Sequence, residues 1–336
     1  MIKKIIYVLL MFLVLLPVTG RAENTPDGLV ISGQVKWPSR ITLEGLSRMQ
    51  SVTVRLNEVD LQKNFKGAFQ YQGIPLRTLL EQAGIHKEKS NFNKPIDLAV
   101  LVKTKSGKQI VLSWGELFYR NPAEITVAFS AVPIMPHKKC ESCHKPEVYE
   151  RWLSPIKRSV GFPKLIVAND FYTDRSLEDI AQVEVIDLRP ALKGQKISKL
   201  HSPSFDITGS VKNPLKVTEL SSYNRVEMVI KQIGDGMGYH GLKWIEGVPL
   251  RELLDKAGAE MDPATVILIS APDGYRSLLS YGELYLSQAG NRILVADKIN
   301  HKPLDKDGKF FFVPPDDLAA DRDVKAVSQI EVITLK

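Results

Sequence analysis

Cys140-Glu-Ser-Cys143-His144 sets two thiols three positions apart and follows them at once with an imidazole. These are the only cysteines of the chain. The spacing is that of covalent c-type haem attachment, in which the two sulfurs reach the two vinyl groups of one porphyrin. The histidine that follows then offers a neutral ring nitrogen to the iron as proximal ligand. Three other chemistries use the same atoms. In an oxidising compartment the pair can close a small disulfide. It can act as a dithiol redox centre, although no thioredoxin-like context surrounds it. With His137 it offers two nitrogen and two sulfur donors to zinc, although adjacent Cys143 and His144 chelate poorly together. For a haem, the sixth ligand stays open among Met135, His137 and His201, with an empty sixth position as a further option. Met135 and His137 sit on a short tether, which makes the opposite haem face awkward to reach.

The remaining residues offer less. His86, His240 and His301 read as solvated or structural. Tyr149, Trp152 and Ile156 are spaced as one face of a short helix covering the motif, shortened by Pro155. Gly234-Asp-Gly-Met-Gly238 is glycine-rich but lacks the Lys-Ser/Thr ending of a phosphate loop, and reads as a flexible loop. Asp316-Asp317 reads as a turn pair.

Haem attachment of this kind happens outside the cytoplasm, and the N-terminus agrees. Lys3 and Lys4 precede an apolar run from Ile5 to Leu16, Pro17 breaks it, and Gly20-Arg-Ala22 supplies small residues for cleavage. This is the pattern of a secretory signal peptide over residues 1–22, and it places the mature chain in the periplasm or another extracytoplasmic compartment. The run is short for a membrane span, which needs about 20 apolar residues. No cysteine follows it, which excludes the lipoprotein reading. Removing Lys3, Lys4 and Arg21 lowers the formal charge from +7 to +4. Basic and acidic residues are interspersed, which speaks against a nucleic-acid groove and leaves room for a redox partner protein.

The elements that must hold the motif come in two copies. Ile31-Ser-Gly-Gln-Val-Lys-Trp-Pro38 recurs as Ile207-Thr-Gly-Ser-Val-Lys-Asn-Pro214. Gly73-Ile-Pro-Leu-Arg-Thr-Leu-Leu-Glu-Gln-Ala-Gly84 recurs as Gly247-Val-Pro-Leu-Arg-Glu-Leu-Leu-Asp-Lys-Ala-Gly258. Ser113-Trp-Gly-Glu-Leu117 recurs as Ser280-Tyr-Gly-Glu-Leu284, and Asp174-Arg175 with Gln182–Ile186 recurs as Asp321-Arg322 with Gln329–Ile333. Four blocks in the same order predict a tandem repeat: a first domain over 28–190, a linker over 191–203 and a second domain over 204–336. The offset falls from 167 to 147 between the last two blocks, so the first copy carries 20 extra residues there. Those residues hold the CxxCH, on an insert at about 134–161. Val52–Leu56, Val226–Ile230, Leu98–Val102 and Val266–Ile269 read as strands, the last two apolar enough for burial on both faces. Pro75 and Pro249 suit the first turn of helices that bury Leu76, Leu79, Leu80 and their counterparts, and stop at Gly84 and Gly258. The expected class is α+β, rich in strand, with few and short helices.

Laid side by side, both copies resemble the oxidoreductase molybdopterin-binding domain, the fold of sulfite oxidase and its bacterial relatives. The carrying residues are the Gly-Val-Pro-Leu-Arg helix, Asp273-Gly-Tyr275, Gly282-Glu-Leu284, and the ending with Pro303-Leu304, Gly308, Val313-Pro314 and Arg322. The resemblance implies a sulfite-oxidase-like fold and a molybdenum cofactor held by a cysteine just after the strand at Val52–Leu56 or Val226–Ile230. Here those places carry Asn57-Glu58 and Lys231-Gln232, so the thiolate ligand is missing from both copies. His240, Arg251, Arg276 and Arg322 are the donors on offer for a pterin phosphate. The expectation is an exported electron-transfer protein carrying one haem c on this scaffold, with no chemistry on a substrate and no integral membrane segment after signal cleavage. The alternatives are a molybdenum-cofactor oxidoreductase with haem as its electron outlet, and a cofactor-free binding module with a Cys140–Cys143 disulfide.

Overall fold

A computed structural model describes residues 27–134, 145, 155, 158–234, 238–304 and 308–335. The signal segment, Met135, His137, Cys140, Cys143, His144, Tyr149, Trp152 and Ile156 lie outside the described residues. The fold is α+β and dominated by strands, with few, short helices. Among the described residues no helix is long and apolar enough to cross a membrane.

The first unit contains β1 (Leu29–Gly33), β2 (Ser39–Ile41), β3 (Val52–Val59), β4 (Phe65–Pro75), β5 (Leu98–Thr104), β6 (Gln109–Ser113), β7 (Ile125–Pro133), β8 (Lys164–Val167) and β9 (Ile180–Asp187). The second contains β10 (Phe205–Gly209), β11 (Leu215–Val217), β12 (Val226–Ile233), β13 (Tyr239–Pro249), β14 (Thr265–Ser270), β15 (Arg276–Ser280), β16 (Leu294–Ile299), β17 (Lys302–Pro303), β18 (Phe311–Val313), β19 (Val324–Lys325) and β20 (Gln329–Thr334). One sheet of each unit has the same order, β2-β1-β9-β5-β6 and β11-β10-β20-β14-β15. The other runs β3-β4-β7-β8 in the first unit and β12-β13-β16-β18-β19 in the second. The repeated Ile-x-Gly ends β1 and β10, which run parallel to β9 and β20. Gly33 and Gly209 lie at φ 88° and 91°, so close to the Val185 and Val332 carbonyls that a Cβ has no room. A left-handed residue at such a crossing has to be glycine.

Between the two sheets of each unit sits a short amphipathic helix, α2 (Leu76–Ala83) in the first; α1 (Leu43–Ser47) precedes it and α3 (Trp114–Phe118) follows it. The second unit has α4 (Leu250–Lys256) and α5 (Tyr281–Tyr285) in the places of α2 and α3. Leu76, Leu79 and Leu80 are buried on α2, and Leu250, Leu253 and Leu254 on α4. That spacing is the three-and-four periodicity of one helix face. Pro75 and Pro249 occupy the N-cap, one place earlier than a first-turn proline. The free carbonyls at the far end of each helix are met by the first repeat block. Lys36 and Trp37 donate their N–H groups to Gly84 and Ala83, and Lys212 and Asn213 donate to Gly258 and Ala257.

The expected double burial of β5 and β14 is present, and the other unit is its cause. Leu98, Val100 and Val102 face the core of their own unit. Ala99 and Leu101, with Val111, face outward into Val266, Leu268 and Leu278 of the second unit. Every member of this interface cluster has its repeat counterpart across it, so the units pack about an approximate two-fold axis, as in an isologous dimer.

The same symmetry governs a pair of buried arginines. Arg175 is held by Asp170 (2.8 Å, two bonds) and Glu116 (2.9 Å) of its own unit, and donates to Ser280 Oγ of the other (3.1 Å). Arg322 is held by Asp317 (2.6 and 2.7 Å) and Glu283 (2.9 Å), and donates to Ser113 Oγ across the interface (3.3 Å). The repeated Ser-x-Gly-Glu block thereby acquires a function for three of its positions. Ser113 and Ser280 are N-caps, and Glu116 and Glu283 complete reciprocal capping boxes. Gly115 and Gly282 leave room for the incoming guanidinium: a Cβ on Gly115 would lie 2.0 Å from Arg322 Nε, and one on Gly282 1.9 Å from Arg175 Cζ. Burial opposes the charge on both arginines, but their carboxylate partners outweigh it and hold each guanidinium firmly protonated. Asp317 sits in the turn read from sequence, its N–H donating to the Pro314 carbonyl (3.2 Å), and its buried side chain is bidentate on Arg322.

The two glutamates differ in one respect. Burial, opposed by Arg175 and reinforced by Glu283, pushes the Glu116 carboxyl above its usual range. Burial also acts on Glu283, but Arg322 and Arg120 overcome it and hold that carboxyl low. Arg120 lies 3.6 Å from Glu283, and its repeat counterpart is Ser287, so the extra cation serves one side only.

Candidate functional site

The insert that carries the CxxCH leaves the first unit and returns to it at neighbouring points on one strand. Ile134 donates its N–H to the Ala68 carbonyl (2.8 Å), and Arg158 Nε donates to the Lys66 carbonyl (3.0 Å). Both acceptors lie on β4, two residues apart. In the second unit β16 ends at Ile299 and turns back through Asn300-His301 into β17. There the matching stretch of β13 leaves Tyr239, Leu242 and Trp244 exposed.

Arg158 also enters a buried ion cluster. Glu58 on β3 accepts from Lys164 Nζ, the Tyr71 hydroxyl and Arg158. Glu178 accepts from Arg158 (2.7 Å) and Lys164 (3.2 Å), and also from the Gly161 N–H (2.9 Å). Glu58, Tyr71 and Lys164 are almost wholly buried. Burial and the neighbouring Glu58 carboxylate together hold the proton on the Tyr71 hydroxyl. Charges this deep persist because each has partners of opposite sign.

Sheet register shows what occupies the same place in the second unit. Lys164 lies opposite Ala128, which lies opposite Gly73. Phe311 lies opposite Ala296, which lies opposite Gly247. Lys164 therefore corresponds to Phe311, and by the ladders of β3 and β12 Tyr71 corresponds to Ile245. The repeat offset sets Gln232 where Glu58 stands. Two charges and a hydroxyl have given way to neutral groups, and the space around them has opened. The second unit holds a cavity of about 500 Å³ lined in part by Gln232, His240, Lys243, Phe311 and Asp323, with Lys94 contributed by the first unit. The first-unit depression around Glu58 and Lys164 holds about 220 Å³.

The cavity lies where the resemblance implies a molybdenum cofactor, and its donors do not suit one. Gln232 stands where the resemblance would put a thiolate, and Asp273, Asp321 and Asp323 share the walls with Lys94, Lys243 and Lys325, so no concentrated cationic cradle faces a pterin phosphate. Of the four donors named from sequence, only His240 lines the cavity. Arg322 is locked to Asp317 and Glu283. Arg276 is buried against Asp97 (2.7 Å) and carbonyls of the linker side. Arg251 is partly exposed over the Tyr285 ring. They do not converge.

The other histidines are plainly placed. His201 is exposed in the linker, and among the described residues its ring has no hydrogen-bonding or ionic partner. His86 is half-exposed beside Glu88 (3.9 Å). His301 contacts Glu227 (3.1 Å) and Glu246 (3.4 Å), but Glu246 already accepts from Lys298 (2.8 Å). Of the glycine-rich stretch, residues 235–237 lie outside the described residues; the Gly234 carbonyl lies 3.2 Å from His240 Nε2.

No family model matches the chain, and no curated protein matches it. Among solved structures it is similar to the sulfane dehydrogenase SoxCD from Paracoccus pantotrophus, at 11% identity and a TM-score of 0.33. That alignment covers 92% of this chain and 78% of the other.

Proposed function

We propose that this chain is an exported electron-transfer protein carrying one covalently attached haem c on the insert of its first unit. The observation that carries the reading is the CxxCH itself, which takes up every cysteine in 336 residues. Cys140 and Cys143 would add their thiols to the two vinyl groups, and His144 would ligate the iron through a neutral ring nitrogen. When bound, the group supplies a one-electron iron couple. The chain's own contribution is positional: Ile134 and Arg158 tie the two ends of the insert to β4, and Glu58 and Glu178 hold Arg158 in turn. The N-terminal residues 1–22 support export, which this attachment requires. Both units belong, on this reading, to a sulfite-oxidase-like scaffold kept without its metal. The unfavourable donors of the second-unit cavity speak against molybdenum chemistry there.

The test is spectroscopic. Reduced protein from a host competent in haem c attachment should show the sharp visible bands of haem c and retain haem stain on a denaturing gel. Cys140→Ala should abolish the stain. A colourless wild-type protein would sink the proposal, and an oxidised Cys140–Cys143 pair in that sample would favour the binding module. Molybdenum found by metal analysis would restore the enzyme reading.

A further inference from the structure

We propose that the second-unit cavity is a binding site for a small zwitterion of the amino-acid type, its ammonium on Asp323 and its acid group at Lys243 and His240. The inference is independent of the haem, since every residue it uses lies outside the insert.

Asp323 is the residue that points to a ligand. Its counterpart Ser176 serves the fold, because Ser176 Oγ accepts the N–H of Val167 (3.0 Å). The counterpart of Val167 is Pro314, which has no N–H to give. The second unit therefore needs no acceptor at this place, yet it carries a carboxylate. Among the described residues none donates a hydrogen bond to that carboxylate, and it lines the cavity. Burial, reinforced by Asp317 and opposed by Arg322 and Lys325, keeps its proton on well above the usual carboxylate range. A carboxylate that lines a cavity with no hydrogen-bond donor on it among the described residues leaves room for one that a ligand brings.

The rest of the lining narrows the chemistry. Lys94 and Asp321 already pair with each other (3.4 Å), and Asp273 accepts the N–H of Tyr275 (3.0 Å). Lys243 has no ionic or hydrogen-bonding partner among the described residues, and it shares the cavity with Asp323. A bare cation would meet three lysines there and a bare anion three aspartates. A molecule with one pole of each sign satisfies both open groups. Phe311 and Tyr275 give its body an apolar wall, and about 500 Å³ lies in the range of small-molecule sites.

Titration calorimetry on the full chain tests this with each of the protein amino acids, with cadaverine as a probe of positive charge alone and with glutarate as a probe of negative charge alone. At least one amino acid should bind, and both single-sign probes should be weaker by about tenfold or more. Asp323→Asn and Lys243→Gln should each weaken the amino acid by about tenfold, with the melting profile confirming that both variants fold. Affinity should rise with pH as Asp323 gives up its proton. No heat from any amino acid at about 10 mM, equal affinity for cadaverine or glutarate, or undiminished binding by folded Asp323→Asn would each overturn the proposal.

Discussion

Across the interface the two units do the same thing with the same residues, while in their corresponding hollows they do opposite things. Ser, Gly and Glu of the third repeat block, Arg175 and Arg322 of the fourth, and their partners Asp170 and Asp317 are kept in both copies, because each arginine needs carboxylates from its own unit and a vacant glycine from the other. Neither copy can change alone without leaving a buried charge unpaired. The hollows carry no such reciprocal demand. In the first unit Glu58, Tyr71 and Lys164 narrow the space to about 220 Å³ and anchor Arg158 beside the insert; in the second, Gln232, Ile245 and Phe311 leave about 500 Å³. A repeat can thus hold its symmetry where the copies touch and diverge where each faces solvent alone.

The sharpest way to break this comparison is to put a methyl group on either interface glycine. Gly115→Ala sets a carbon 2.0 Å from Arg322 Nε, and Arg322 is wholly buried and cannot retreat. The guanidinium must leave its carboxylates or the units must part, at a cost of about 3–5 kcal/mol. Gly282→Ala should cost the same through Arg175. Urea unfolding of both variants checks the equality as well as the size. A loss under about 1 kcal/mol in either would show that the arginines are not held as described.

The hollows make the next prediction, with a smaller loss at the end of it. Lys164→Met leaves Glu58 short of its most buried cationic partner and should cost about 3 kcal/mol or more. Installing the second unit's pair, Glu58→Gln with Lys164→Phe, removes both charges together and should be less destabilising than either single change. A double-mutant cycle in which the two losses simply add would mean that the pair is not coupled, and the contrast between the hollows would lose its energetic basis.

Much of the fold is legible in the sequence because its signals are local. The alternation of Val52–Leu56, the leucine spacing after Pro75 and Pro249, and the apolar runs of β5 and β14 all read correctly. The repeat blocks also announce themselves, but not their purpose. Arg322 meets Ser113 across 209 residues and Lys164 meets Glu58 across 106, and no periodicity reports on contacts of that length. Asp316-Asp317 reads as a turn and is one, but only the arrival of Arg322 shows that the Asp317 side chain is buried. Four polar residues, Ser113, Glu116, Asp170 and Arg175, each recur unchanged in the second copy, and that recurrence is the sequence's one signal of a shared interface. The CxxCH is legible through its spacing alone, whereas the cavity at Asp323 is not, because its meaning lies in a proline nine residues earlier.

Asp323 gives the smallest and most diagnostic effect. Its folded-state pKa is raised, so the folded chain holds that proton more tightly than the unfolded one. Stability should therefore decline as pH rises from the ordinary carboxylate range, near pH 4, through the raised value. Asp323→Asn removes the charge and keeps most of the shape. Below that window the variant and the parent should melt together, and above it the variant should be the more stable by about 0.5–2 kcal/mol. Melting temperatures across the pH range, taken without added amino acids, would show the two curves separating. Parallel curves would mean that Asp323 titrates as it does in the unfolded chain, with its charge already satisfied. A mutation that stabilises the protein while weakening a ligand marks a residue kept for binding, and no position in the narrower first-unit hollow should behave that way.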